Sequence, residues 1–378
     1  MSQFPLLSRR TLLRSTALAA VAGSALGQPA RKSGAAPVTV VQILDTSMAQ
    51  QDVAKDFLLG SRAAWQDINA LGGLRGRPVR HETMEVDGSP AAVRQAVQAA
   101  VADPSCVALS GTAGDPVAAQ VAQLLTAAPA GLAHLAPWLQ SSSAALGDST
   151  FPIFAGRAEQ VAHALKSLAL VGVQDVGVVY ASALEQGRHQ DDIARIASGM
   201  KLRLLAYPGS GDLSALGQRL GPQSPALLLF IGGTPELVQF TQGLDRQQRQ
   251  RFVIALSDVN LQTVQQIGGA RSTPLIATQP VPMVTSALPV VRHYREVMAR
   301  LFDEPAVALS LAGFVAARAT FAVLQGIDGP LTRGAVLAAC QRQQPVDLGG
   351  LRVSFDARHR GTGYVTQTML TASGRIVG

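Results

Sequence analysis

Aromatic residues make up only 4% of this 378-residue chain, and just two of them are tryptophans. The lysines and arginines are scattered rather than clustered, so the basic, aromatic-laced surface that a nucleic-acid partner would need is missing, and no nucleic acid is expected. Cysteine is almost as scarce, with Cys106 and Cys340 alone. Cys106 opens an apolar strand and Cys340 closes an apolar helix, so two buried thiols and no disulfide are expected; the spacing leaves open whether they approach each other. The six histidines stand apart from one another. Only His189-Gln190-Asp191-Asp192 resembles a metal cluster, and adjacent positions on a helix diverge around its axis, so a solvated face is expected there and neither metal nor cofactor. Patterns of the type G-x-S-x-G, G-x-x-x-x-G-K and G-x-G-x-x-G are all missing, which removes the nucleophile elbow and the phosphate-cradling loops on which several enzyme classes rest.

A long hydrophobic run occurs near the start. Ser8-Arg9-Arg10-Thr11-Leu12-Leu13-Arg14 precedes an apolar stretch of alanine, leucine and valine that ends near Leu26. It is shorter than the ~20 residues a spanning helix requires, and it reads as a twin-arginine export signal over residues 1–27. Ala25-Leu26-Gly27 sets cleavage before Gln28, with Ala22-Gly23-Ser24 as a second candidate. No cysteine lies there to carry a lipid anchor, and no later stretch reads as long and apolar enough to cross a bilayer, so a soluble exported chain is expected. The net charge of +7 includes Arg9, Arg10 and Arg14, whose removal lowers it by three to a mild +4.

What remains is long enough for two lobes, each with its own core. Apolar runs alternate with helical periods over most of it, the pattern of parallel sheets flanked by helices, so the fold class is α/β. Strands are expected at 38–44, 79–85, 107–110, 176–180, 202–207, 226–231, 252–256 and 275–278, and near the end at 351–355 and 364–371. Between them, helices are expected at 52–70, 90–102, 116–126, 159–170, 185–198, 213–220, 235–243 and 259–267, followed by 290–302, 308–325 and 332–339. Two stretches break the alternation. Residues 137–157 lack a period and are rich in serine and glycine, and 279–289 hold three prolines that force extended chain.

The most specific stretch is Gly60 to Asp87, GSRAAWQDINALGGLRGRPVRHETMEVD. Ala63, Ala64, Ile68 and Leu71 fall on one helical face, Gly72 and Gly73 end the helix, and Gly76-Arg77-Pro78 turns the chain into a strand. This helix ending in N-x-x-G-G-x-x-G-R, followed by a strand and an acidic residue, resembles the first helix and second strand of periplasmic solute-binding proteins, above all the branched-chain-amino-acid branch. The resemblance spans nearly the whole mature chain. It implies two Rossmann-like lobes joined by a three-segment hinge, the type I periplasmic binding fold, with lobe 1 at 38–154 plus 284–343 and lobe 2 at 155–283 plus 344–378. It further implies a monomeric receptor of an ABC uptake system, working with an inner-membrane permease and closing on a small amino-acid-like, amide or carboxylate ligand without reacting with it. A sensory module reporting to a sensor kinase or chemoreceptor would use the same lobes, and a hydrolase would need a nucleophile and base in one pocket.

In open α/β sheets ligands bind beyond the carboxyl ends of strands. In lobe 1 that directs attention to Asp45–Met48, to Ser110–Asp115 and to Ala136-Pro137-Trp138; in lobe 2, to Tyr180–Glu185, Gly232-Gly233-Thr234 and Ser257-Asp258. Candidate ligand contacts are Ser110, Thr112, Trp138, Tyr180, Ser257 and Asp258. Ser110 and Thr112 supply hydroxyls beside helix-start amides that attract anions. Asp115 either caps that helix or repels an anion there. Trp138 has two readings, ligand contact or lobe packing. Asp258 also has two, a counter-charge for a ligand ammonium or a cap for the next helix. The chain departs from the family pattern at Leu184-Glu185-Gln186-Gly187, which lacks an aromatic residue, and at Gly156-Arg157-Ala158-Glu159, where a serine and a tyrosine are usual.

Overall fold

The computed structural model describes residues 38–377 except 142–145, 171, 210, 248, 270–271, 355–363 and 372–373; the export signal read at 1–27 and the link read at 356–363 lie outside the described residues. The first strand, β1 (Val38–Asp45), is buried at all eight positions, as a strand covered by helices on both faces must be. After it come α1 (Gln51–Ala70), β2 (Val79–Val86), α2 (Pro90–Ala102), β3 (Cys106–Ser110), α3 (Asp115–Ala127), β4 (Ala133–Leu135) and β5 (Thr150–Phe151). These strands form a parallel sheet in the order β2-β1-β3-β4-β5.

The chain then builds a second layered unit from α4 (Arg157–Leu170), β6 (Asp175–Tyr180), α5 (Ala183–Gly199), β7 (Arg203–Tyr207), α6 (Leu213–Arg219), β8 (Leu227–Ile231), α7 (Thr234–Leu244), β9 (Phe252–Ala255), α8 (Leu261–Gln266) and β10 (Leu275–Gln279). It returns to the first unit with α9 (Pro289–Leu301), α10 (Ala308–Gln325), α11 (Arg333–Gln341) and the small hairpin β11 (Val346–Asp347) and β12 (Arg352–Val353), then ends with β13 (Thr366–Leu370) and β14 (Ile376–Val377). The second sheet runs β14-β13-β10-β9-β8-β6-β7, parallel through β10 and antiparallel at β13 and β14. The expected α/β class with two lobes is therefore the observed one, and the chain passes between the sheets three times.

Local chemistry explains where these elements stop and how closely they pack. At the end of α1, Gly72 N donates to Asn69 O at 3.1 Å and Gly73 N to Ile68 O at 2.9 Å, the paired bonds of a Schellman stop. Gly73 has φ of +67°, and a Cβ there would lie 2.1 Å from the Arg77 carbonyl oxygen. Farther back, α1 crosses α10 through two glycines: a Cβ on Gly60 would lie 1.7 Å from Ser310 O, and one on Gly313 would lie 1.9 Å from Phe57 O. Backbone-to-backbone contact this close is what lets α10 sink into the core.

Several expectations need correction. Helix α10 is long and apolar enough by composition to cross a membrane, against the reading that no later stretch is; 72% of it is buried inside the protein, where Leu311, Phe314, Val315 and Leu324 join the core of the first lobe. The strands β4, β5, β11 and β14 fall outside the expected set, and among the described residues of the strand expected at 351–355 only β12 forms. Leu351 and Val353 pack into the first lobe's core, against the expectation of 344–378 in lobe 2, because among the described residues of that segment β13 and β14 are those that reach the second sheet. Cys106 and Cys340 are free and buried, as expected.

Candidate functional site

The loops at the carboxyl ends of the two sheets meet around Arg157, the first residue of α4. A cation in a first helical turn opposes the helix dipole and so needs carboxylates nearby. It has them: Arg157 Nη2 donates to Asp258 Oδ2 at 2.8 Å and lies 3.9 Å from Asp115 Oδ2, while Nη1 is 3.7 Å from Glu185 Oε2. Burial opposes the guanidinium charge, and the carboxylates of Asp258, Asp115 and Glu185 outweigh it, holding the pKa above the usual arginine value. For Asp115 burial dominates and raises the carboxyl pKa, against the pull of Arg157. Glu185 is lowered, first by the hydrogen bond from His189. His189 itself is buried and 3.3 Å from Glu185, so the solvated face expected at His189 gives way to an inward-facing partner of the site.

Asp258 joins the lobes. Its Oδ1 accepts the Trp138 indole N–H at 3.1 Å, a bond between the loop after β4 and the loop after β9. Trp138 is fully buried, and its ring packs against Phe57 at 5.7 Å and Phe154 at 5.3 Å between centroids, so it both packs the first lobe and reaches the second. The cap of α8 is Asn260, whose side chain accepts from Gln262 N and Thr263 N, so Asp258 is not that cap. Nor is it a free counter-charge, because Arg157 already neutralises it. A second cross-lobe bond runs from Asn260 Nδ2 to Asp56 Oδ2 at 2.6 Å.

The remaining expected contacts fall elsewhere. Ser110 Oγ is bonded to Thr320 Oγ1 at 2.8 Å and Thr112 Oγ1 to His134 Nε2 at 2.9 Å, both inside the first lobe. Asp115 does not cap with its side chain; Oδ1 accepts the backbone amides of Gln140 and Ser141 at 2.7 and 2.8 Å and so fixes the segment that leaves the first lobe. Ser257 is beside Asp258 but turned inward, its hydroxyl donating to Gln140 Oε1 at 3.3 Å and its amide to Gln160 Oε1 at 3.1 Å. Tyr180 lies in the core between the second sheet and α4 and α5, where burial pushes its pKa up to about 12. Of the six candidates, Trp138, Ser257 and Asp258 come together; Thr112 reaches them only through its carbonyl, which accepts from Trp138 N at 2.8 Å, and Ser110 and Tyr180 do not join them.

Beside Arg157 is a cavity of about 210 Å³ whose walls come from both lobes: Gln50 from the loop before α1, and Arg157, Ser182, Glu185, Glu236 and Asp258 from the second. Gly232 and Gly233 line it as well, which keeps that wall free of side chains. Two of its residues carry a buried polar atom with no hydrogen-bond partner, Arg157 Nε and Gln50 Oε1. Gln50, Arg157, Glu185 and Glu236 are not among the six expected contacts. The signal that could have found Arg157 is its place at a helix start; Gln50 carries none. Among the described residues no group of histidine, cysteine and acidic side chains could hold a metal ion.

The sequence pattern of the periplasmic binding protein family matches residues 37–375. None of the curated proteins matches the chain. Among solved structures, it is similar to an extracellular ligand-binding receptor from Verminephrobacter eiseniae, at 17% identity and a TM-score of 0.81, covering 91% of this chain and 100% of that one. It is similar also to a substrate-binding periplasmic protein from Ralstonia solanacearum, at 21% identity and a TM-score of 0.79, with 90% and 99% covered. A third is an ABC transporter substrate-binding protein from Desulfitobacterium hafniense in complex with Leu, at 16% identity and a TM-score of 0.73, with 90% and 99% covered.

Proposed function

The chain belongs to the periplasmic binding protein family, and from that premise we propose that it is the solute receptor of an ABC uptake system, taking a small amino-acid-like, amide or carboxylate ligand between its lobes. The observation that carries this reading is the cavity beside Arg157, walled by Gln50 of one lobe and Glu185, Glu236 and Asp258 of the other. A ligand there touches both lobes at once, so it favours the closed arrangement over an open one by the contacts only closure allows. The partner that reads closure is an inner-membrane permease.

Family membership implies work in the periplasm. The export signal at 1–27 delivers the chain there without a lipid anchor, as a monomer, and the protein binds its solute without transforming it. The lobes divide as 38–154 with 284–353, and 155–283 with 364–377, a last crossing supported by the packing of Leu351 and Val353 on the first core.

A thermal-shift screen of the mature protein against amino acids, amides, ureas and aromatic acids tests the reading, because a ligand of the folded state raises its melting temperature by mass action. At least one class is expected to stabilise it in a concentration-dependent way. An unchanged melting temperature across the whole panel counts against a solute receptor.

A further inference from the structure

Two direct bonds join the lobes through side chains that stand outside the segments where the chain crosses. Trp138 Nε1 of the first lobe donates to Asp258 Oδ1 of the second at 3.1 Å, and Asn260 Nδ2 of the second donates to Asp56 Oδ2 of the first at 2.6 Å. Both acceptors are acidic side chains, so each bond is of the charge-assisted kind, stronger than one between neutral groups. Asp258 is held in place for this bond by its other oxygen. Oδ2 accepts from Arg157 Nη2 at 2.8 Å, and the same nitrogen lies 3.9 Å from Asp115 Oδ2 of the first lobe. The side chains of Asp115, Arg157 and Asp258 are 12%, 11% and 10% exposed, so little water screens the attraction among them. A further set of bonds lies beside this cluster, where Gln140 Oε1 of the first lobe accepts from Gln160 Nε2 and from Ser257 Oγ of the second.

Parting the lobes takes the indole donor from Asp258, draws Asp115 away from Arg157 and separates Asn260 from Asp56. Every partner in these bonds belongs to the protein itself, so they do not depend on which solute the cleft accommodates. We propose that Asp258, with Trp138, Arg157 and Asp115 around it and the bond from Asn260 to Asp56 beside it, is a latch that keeps the lobes together without any solute. The inference rests on the two-lobe fold and not on the solute-receptor reading. Within that reading, a solute adds its contacts to a closure that the chain already favours, and its entry waits on the opening of these bonds.

Small-angle X-ray scattering tests the latch with no ligand at all. The mature chain is unfolded in guanidinium chloride, dialysed to remove any co-purified solute, refolded, and compared with Asp258→Asn and Asp56→Ala treated in the same way. Asparagine offers one side-chain oxygen where aspartate offers two, so it cannot accept from both Trp138 and Arg157. Alanine at position 56 removes the second bond and leaves Asn260 Oδ1 accepting from Gln262 N and Thr263 N, so the start of α8 keeps its cap. The solute-free wild type is expected to give the radius of gyration of the structure, and each variant a larger one at unchanged helix content by circular dichroism. A wild-type chain wider than the structure overturns the latch. A folded variant that stays as compact as the wild type overturns the part assigned to its bond, and two such variants overturn the whole. Should Asp258→Asn fail to fold, Asp56→Ala decides alone. A solute screen without a hit would count against the receptor reading and leave the latch standing.

Discussion

His134 sits fully buried in β4 between Thr112 and Thr150, and burial pulls its pKa from 6.5 down to about 3. Burial does the same to His81, to about 4. Because these folded-state values lie below the unfolded one, the unfolded chain takes up protons first as the medium is acidified. The stability contributed by the neutral rings is thus fully present above about pH 6.5 and is lost as pH falls toward 3 to 4, at up to about 1.4 kcal/mol per pH unit for each ring. Urea denaturation between pH 7 and 4 should show that decline, and His134→Gln should make it shallower by close to one proton. An identical slope in both proteins would remove His134 as a cause. The residue scale is also where the sequence was least informative about the site. Ser110 and Thr112 follow a strand as ligand contacts should, yet their hydroxyls are claimed by Thr320, 210 positions away, and by His134. Which long-range partner satisfies a hydroxyl is settled by packing, which no local pattern encodes.

The crossing of α1 and α10 sets the thickness of the first lobe. Gly313→Ala places a methyl 1.9 Å from the Phe57 carbonyl oxygen, and overpacking against backbone with no room to move should cost about 2 kcal/mol or more. Gly187→Ala is the control: a Cβ there meets nothing within 4 Å, and replacing a glycine inside α5 should add about 0.5–1 kcal/mol. Equal effects in chemical denaturation would contradict this account of the crossing. Elements of this length were legible: α2 and α10 appear with the expected bounds, and the glycine stop of α1 is where Gly72 and Gly73 put it, because period and capping chemistry are local. The strands β4, β5 and β14, with three, two and two residues, are too short to show a period and exist only because neighbouring strands offer them hydrogen bonds. Helix α10 is more apolar than the sequence reading allowed, since a helix buried on most sides and one that spans a bilayer share a composition.

Across the whole molecule, the architecture was readable because alternating strands and helices force parallel sheets, and the resemblance carried by Gly60 to Asp87 supplied the three crossings. The proposed binding surface was readable only in part, because it arises where two lobes meet: Gln50 stands more than a hundred residues before Arg157 and Glu185 in sequence, and the three come together only when the sheets face each other. The bond from Trp138 to Asp258 at 3.1 Å places an indole at that meeting point. Trp65, the other tryptophan, lies in the first lobe's core, so Trp65→Phe leaves Trp138 as the sole reporter. Titrating that variant with the solutes that raise its melting temperature tests the central claim, binding between the lobes, most directly. Each stabilising solute is predicted to change Trp138 emission saturably, with the Kd found by calorimetry. A solute that stabilises the fold and leaves Trp138 emission unaltered would show that binding occurs elsewhere.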